Sequence, residues 1–225
     1  MIRISMVEIL RWISTIVSIS VKFLLAFYFM RLYWKEKRGT PLIWGTGFFF
    51  FGLSQVPGVA YRYFEDPMTA TAFSILGTIL VILSLSVLYY GASILLFPKG
   101  SVLREKTSLL LFIIMVCVTA GLIVTVTPEN VLTRGFRVIA TGLIFPMSMV
   151  IAAIFTVTWY KLEPDNPKRV NILLVGCAWC IYGLVNGIGS FFVGMPHEWV
   201  FYTLAIVSFL ILLYGMTLGK ATQSS

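Results

Sequence analysis

The sequence predicts an all-α integral membrane protein, a seven-transmembrane helix bundle with a parallel internal repeat. Two observations predict the bundle and a third the repeat. Of 225 residues, 59% are hydrophobic and only 12% are charged, with a mean hydropathy of +0.94. A soluble domain carries about twice that share of charge. The apolar residues also fall in runs long enough to cross a bilayer. Finally, the second half of the chain matches the first at nearly constant offsets.

Seven stretches reach spanning length, at about 8–31, 41–62, 68–97, 107–127, 134–160, 170–193 and 198–219. They are spans 1 to 7 below. Backbone polar groups cannot go unpaired in lipid, so each stretch is expected to be one continuous helix. A transmembrane barrel is excluded, because its strands alternate apolar and polar residues. The run from Leu109 to Met115 does not alternate. Span 1 follows Arg3 and Arg11, but it is too long for a signal peptide and lacks a small-residue cleavage site. Cys117, Cys177 and Cys180 all fall inside spans, so no disulfide framework is expected.

The formal net charge is +8, yet nucleic acid is not an expected partner. The basic residues sit in short loops, where they set topology. Arg31, Lys35, Lys37, Arg38, Lys99, Arg104, Lys106, Lys161, Lys168, Arg169 and Lys220 share one side. Arg3, Arg11, Arg62, Arg134 and Arg137 lie on the other. This bias predicts a cell-membrane protein with its N-terminus outside and its C-terminus in the cytoplasm.

A shift of 131 residues lays span 2 on span 6. Lys37-Arg38, Leu42, Gly45, Gly52-Leu53 and Gly58 then meet Lys168-Arg169, Leu173, Gly176, Gly183-Leu184 and Gly189. Phe48, Phe51 and Gln55 meet Trp179, Tyr182 and Asn186. A shift of 124 lays span 3 on span 7, matching Ile82, Ser84, Leu88 and Tyr90-Gly91 with Ile206, Ser208, Leu212 and Tyr214-Gly215. The predicted organisation is a single domain, 1–225: repeat 1 at about 8–97, a linker helix at about 107–127, and repeat 2 at about 134–219. An odd linker helix makes the triplets parallel, as in transporters that bind substrate between repeats.

This 3+1+3 plan resembles the PQ-loop and sugar-efflux facilitators, and more loosely the opsin and receptor bundles. Trp179-Cys-Ile-Tyr182-Gly183-Leu184, followed by Leu210-Ile-Leu-Leu-Tyr214, is similar to helices 6 and 7 of the sugar facilitators. The chain departs from them in having no Pro-Gln pair and no proline in span 1, and from opsins in lacking a lysine in span 7. The basic loop followed by a Gly-Phe-rich helix also looks like the membrane regions of prokaryotic sensor kinases. The resemblance implies solute passage or ligand sensing.

Lys22 is the sharpest candidate for chemistry. A charge at the bilayer centre costs about 3 kcal/mol or more, so it is expected to face the bundle interior. Arg31 marks the boundary about 13 Å away, beyond the reach of a snorkelling lysine. Ser14, Ser18 and Lys22 repeat at helical spacing and form one stripe. Ser18, Gln55 and Asn186 are its expected polar neighbours. Trp179 and Tyr182 are deep enough either to line a cavity or to fill the core. Trp12, Trp34, Trp44, Trp159 and Trp199 lie near span ends and read as an aromatic belt. The glycines of spans 2 and 6 suggest close helix packing. Cys177 and Cys180 are spaced as C-x-x-C, but an apolar helix does not activate a thiol. His197, the single histidine, cannot build a metal site alone. No catalytic group, metal or cofactor is expected.

The leading expectation is binding and transmembrane movement of a small solute. The alternatives are a sensor or receptor-like module signalling through a separate partner protein, and a structural subunit of a membrane complex. The expected partners are the lipid bilayer, a small-molecule ligand, and a second copy or a signalling protein.

Overall fold

The computed structural model describes residues 6–60, 67–125, 136–192, 195 and 197–217. Arg3, Arg62, Arg134 and Lys220, which contributed to the charge bias, lie outside these residues. The described chain is helical, with no strand among the described residues. The elements are α1 (Met6–Glu36), α2 (Gly39–Leu53), α3 (Gln55–Ala60), α4 (Pro67–Leu96), α5 (Val102–Thr125), α6 (Phe136–Ile139), α7 (Phe145–Lys161), α8 (Arg169–Gly187) and α9 (Glu198–Thr217).

Five helical segments are long and apolar enough to cross a membrane: Met6–Glu36, Thr71–Leu96, Arg137–Lys161, Arg169–Phe191 and Glu198–Thr217. The second and fourth predicted spans are not among these five. The α2 helix has 15 residues and rises only about 22 Å. The α5 helix has 24 residues, with Arg104, Glu105 and Lys106 in its first turns and no charge from Thr107 to Thr125.

Two spans expected to be continuous are interrupted, and proline accounts for both. Pro57 has no N–H to bond the Leu53 carbonyl four residues back. The helix breaks there at Ser54, whose hydroxyl donates to the Phe51 carbonyl at 2.8 Å. Pro146 likewise cannot bond the Gly142 carbonyl. The ladder widens to a π-helical turn over Ala140–Ile144, and the Phe145 N–H reaches back to the Ala140 carbonyl.

Six helices close into a ring. Around it, α1 packs on α2, α2 on α4, α4 on α7, α7 on α8, α8 on α9, and α9 on α1. The α5 helix lies outside the ring against α4. It is held there by Tyr89 donating to the Leu103 carbonyl (2.8 Å) and Ser108 donating to the Ser86 carbonyl (2.9 Å). Its remaining faces expose Leu109, Leu110, Ile113, Ile114 and Val118. Such an apolar exterior suits lipid and not water.

Ring closure depends on small residues at the crossings. A Cβ on Gly45 would stand 3.3 Å from the Ala26 carbonyl of α1, and one on Gly91 would meet the Trp44 indole at 3.0 Å. Inside, Phe29, Trp44, Phe48 and Phe155 form an aromatic cluster with centroids 5.9–6.1 Å apart. Trp44 is thus a core residue, 5% exposed, and does not belong to the interface belt expected for it. It stands one turn inside α2 and points toward the ring. Trp34 and Trp199 are exposed near helix ends, consistent with a belt.

The same packing makes glycine substitutions unequal. A Cβ on Gly187 would come within 2.8 Å of the Phe145 ring, whereas one on Gly121, on the outer face of α5, meets nothing within 4 Å. Gly187→Ala is expected to cost about 1–3 kcal/mol through overpacking and to lower the melting temperature in detergent. Gly121→Ala is expected to leave it unchanged or slightly higher.

Candidate functional site

The inward face of α1 carries a polar stripe with the charge of a lysine in it. Ser14, Ser18 and Lys22 are buried along one stripe, with Lys22 at 0% exposure. Leu25 and Phe29 continue that face below them. The stripe predicted from spacing therefore turns inward, and Lys22 lies inside the bundle.

Its amine meets aromatic faces. The Lys22 Nζ stands 3.7 Å from the Phe51 ring centroid, 4.8 Å from Phe209 and 5.8 Å from Tyr182. It has no hydrogen-bond partner among the described residues. Phe51, Trp179, Tyr182 and Phe209 pack on one another with centroids 5.3–6.0 Å apart, so α1, α2, α8 and α9 all contribute to one cage. The Trp179 indole N–H, buried in the same cage, is also without a partner among the described residues. A crevice bordered by Phe51, Trp179, Tyr182, Ser208, Phe209 and Leu212 runs beside them. It is nowhere wide enough for a water molecule.

The remaining predicted site residues divide. The Ser18 hydroxyl donates to Gln55 Oε1 at 2.8 Å, tying α1 to α3. This pair forms where Pro57 breaks the second span, and neither group reaches the Lys22 amine. The Asn186 Nδ2 donates to the Tyr182 carbonyl at 2.8 Å, one turn back on its own helix. Lys22, Trp179 and Tyr182 thus converge, Ser18 and Gln55 form a separate bond, and Asn186 serves α8. Cys117 and Cys177 are exposed on outer faces, and all three cysteines are free. No group of three His, Cys, Asp or Glu side chains capable of holding a metal occurs among the described residues.

A second polar cluster escaped sequence reasoning. The Arg11 Nη2 donates to Glu198 Oε1 at 2.9 Å, and its Nε donates to the Tyr202 hydroxyl at 2.9 Å. The Tyr202 hydroxyl donates in turn to the Glu198 carboxylate. These three residues clasp α1 to α9 at the end of the seam that leads down to Lys22. Arg11 continues the polar stripe one turn before Ser14, and Glu198 and Tyr202 are four residues apart on α9. That spacing was the available signal. Phe51 and Phe209 left no signal, because phenylalanine is common throughout these helices.

Magnitudes show what the cage lacks. An ammonium over an aromatic face gains about 0.5–2 kcal/mol. A lysine at mid-bilayer costs about 2.5–3.5 kcal/mol on insertion scales and more in simulations. The Phe51 face offsets part of this, and the two further rings add less at their greater distances. No carboxylate lines the crevice, and the two donors have no hydrogen-bond partner among the described residues. Such a site is complementary to an acceptor-bearing ligand. Comparison with family models, with curated proteins and with solved structures finds no match to this chain.

The α1–α9 clasp is testable by itself. The Glu198 side chain is 4% exposed and that of Arg11 33%. Arg11→Met takes the guanidinium from a buried carboxylate, at a cost of about 1–3 kcal/mol. Glu198→Gln in that background is expected to restore part of the loss. A double-mutant cycle on reversible unfolding in detergent should therefore give a coupling of about 1 kcal/mol; strictly additive effects would show that the pair does not join the helices.

Proposed function

We propose that this chain is a multi-pass membrane protein that binds a small solute at Lys22, between two three-helix repeats, and moves it across the bilayer. The observation that carries this reading is the fully buried Lys22 amine at the centre of the ring, unpaired among the described residues. A group so costly to bury is a functional site by default in a membrane helix.

The repeat reading gains support from packing. Numbered by position, α1–α2–α4 and α7–α8–α9 follow one another around the ring, so a half-turn maps every neighbouring pair onto another. Equivalent residues make equivalent contacts. Gly45 and Gly52 of α2 face α1, near Ala26 and Phe23, while Gly176 and Gly183 of α8 face α7, near Ala152 and Met149. Gly91 packs on Trp44, and its counterpart Gly215 on Val175, the counterpart of Trp44. A shift of 126 relates α1 to α6–α7: Arg11, Thr15, Ala26, Phe29 and Lys35 fall on Arg137, Thr141, Ala152, Phe155 and Lys161. Thr15 donates to the Arg11 carbonyl and Thr141 to the Arg137 carbonyl. Phe51 and its counterpart Tyr182 touch each other, as residues near a two-fold axis should.

On this reading α2 with α3 forms the second span. Together they rise about 31 Å, the thickness of the hydrocarbon core. The lipid-facing α5 is the linker span, completing seven. Broken helices beside the substrate are a common transporter device, and here the break at Ser54 lies three residues from Phe51. The counterpart of Lys22 is Ser148, which is also fully buried and without a hydrogen-bond partner among the described residues. The two halves thus share a scaffold, and only one carries the charge. Movement of solute would follow from rocking the triplets about the α1–α9 and α4–α7 seams.

Two measurements test this. The basic loops predict a cytoplasmic face, so single cysteines at Lys37 and Lys168 should resist a membrane-impermeant reagent added outside, and one at His197 should react. Reaction at Lys37 would reverse the topology. For transport, proteoliposomes should show exchange of at least one solute from a panel of small anions, neutral molecules and cations. Lys22→Met should reduce that exchange at least tenfold. Protein that binds a panel member in detergent but exchanges none would be a sensor and not a transporter.

A further inference from the structure

We infer that the crevice beside Lys22 takes a small organic monocarboxylate with a flat apolar body. The carboxylate would accept from Lys22 Nζ and the Trp179 indole N–H, and the body would lie between Phe51, Phe209 and Leu212. The inference rests on the solute-binding reading above and supplies its ligand class.

The donors come first. Lys22 Nζ and Trp179 Nε1 are both buried, both against Phe51, and both unpaired among the described residues. Trp179 stacks on Phe51 at 6.0 Å with a 12° interplanar angle, while the amine stands over a face of Phe51. Either donor can be satisfied by a carboxylate oxygen, and a carboxylate has two. Charge narrows the class further. A carboxylate beside Lys22 favours the protonated amine and the two charges offset each other, whereas a dianion would bury an uncompensated charge. A cationic ligand would meet Lys22 with no carboxylate to offset it.

The lining also disfavours a polyhydroxylated neutral ligand, because the nearby polar side chains are already engaged. Ser208 donates to the Ala205 carbonyl at 2.8 Å, and Ser18 donates to Gln55. What remains is aromatic and aliphatic surface, suited to an apolar body. Since no water fits there now, a ligand enters only when side chains or helices move. The α1–α9 seam carries Lys22 and Phe209 on its two walls and the Arg11–Glu198 clasp at its end.

Benzoate, benzamide and benzylamine share a ring and differ in charge, so they separate the possibilities. Titrated by calorimetry into the purified full chain in detergent at neutral pH, benzoate should bind and the other two should bind at least tenfold more weakly. Lys22→Met should weaken benzoate about a hundredfold, while melting no lower than the parent. Trp179→Phe, which keeps the ring stack and removes the N–H, should weaken it about tenfold, equal to about 1.4 kcal/mol. Equal binding of benzoate and benzamide, or no benzoate binding up to about 10 mM, a dissociation free energy near 3 kcal/mol, overturns the inference. So does undiminished binding by both variants. Failure here is distinct from failure of the transport reading. Exchange of a non-anionic solute would keep transport and discard this ligand class. Benzoate binding without exchange of any solute would keep the ligand class and discard transport.

Discussion

The structure is organised around an amine that has no hydrogen-bond partner among the described residues. Lys22 is fully buried inside the ring, and its Nζ rests on the face of Phe51. Lipid outside the ring would be worse for the ammonium, and the bundle interior is better only because aromatic faces are there. The aromatic cage is therefore the condition under which α1 can present its polar stripe inward. Phe51, Tyr182 and Phe209 come from three different helices. Burying one lysine thus fixes the relative rotation of α1, α2, α8 and α9.

Glycine and proline do complementary work around that centre. The glycines of α2 and α8 bring their helices close to α1 and α7, which leaves the larger side chains of α2 and α8 to fill the ring. The prolines act on the backbone. Pro57 ends α2 near the cage, and Pro146 forces the π-turn that precedes Ser148. Both disturbances fall at the level of the cage, on the helices flanking it, where a rigid α-ladder would resist repacking. The seams between the triplets differ as well. Arg11 is clasped by Glu198 and Tyr202 at the α1–α9 seam. At the α4–α7 seam the corresponding positions hold Ser74 and Thr78, and Arg137 stands over Phe191 instead. Among the described residues, the α1–α9 seam therefore carries an ion-pair clasp and the α4–α7 seam carries hydroxyls at the corresponding positions.

The candidate site was legible where helical periodicity alone points a side chain. Ser14, Ser18 and Lys22 share a stripe at a spacing of four, and a membrane helix turns such a stripe inward. Trp179 and Tyr182 were legible as deep aromatics. The partners were not legible. Ser18 and Gln55 meet because α3 is a separate short helix, and that follows from Pro57 breaking the ladder. Asn186 matches Gln55 in sequence yet bonds its own backbone, since α8 continues unbroken past Tyr182. Trp44 read as an interface residue from its position one turn into a helix, but its rotation about the helix axis puts it in the core.

Composition and hydropathy by themselves determined that the chain is helical and apolar enough for a membrane, because lipid permits few backbone arrangements and long unbroken apolar runs satisfy one of them. Glycine positions and offsets carried the suggestion of two related halves. Only the tertiary structure decided which helices are neighbours, that α5 stands outside the ring, that Arg11 reaches Glu198 across 187 residues of sequence, and that Lys22 faces rings and not hydroxyls. Each depends on the rotation and register of one helix against another. Those are settled by side-chain volumes meeting across an interface, and no local pattern in a single apolar stretch encodes them.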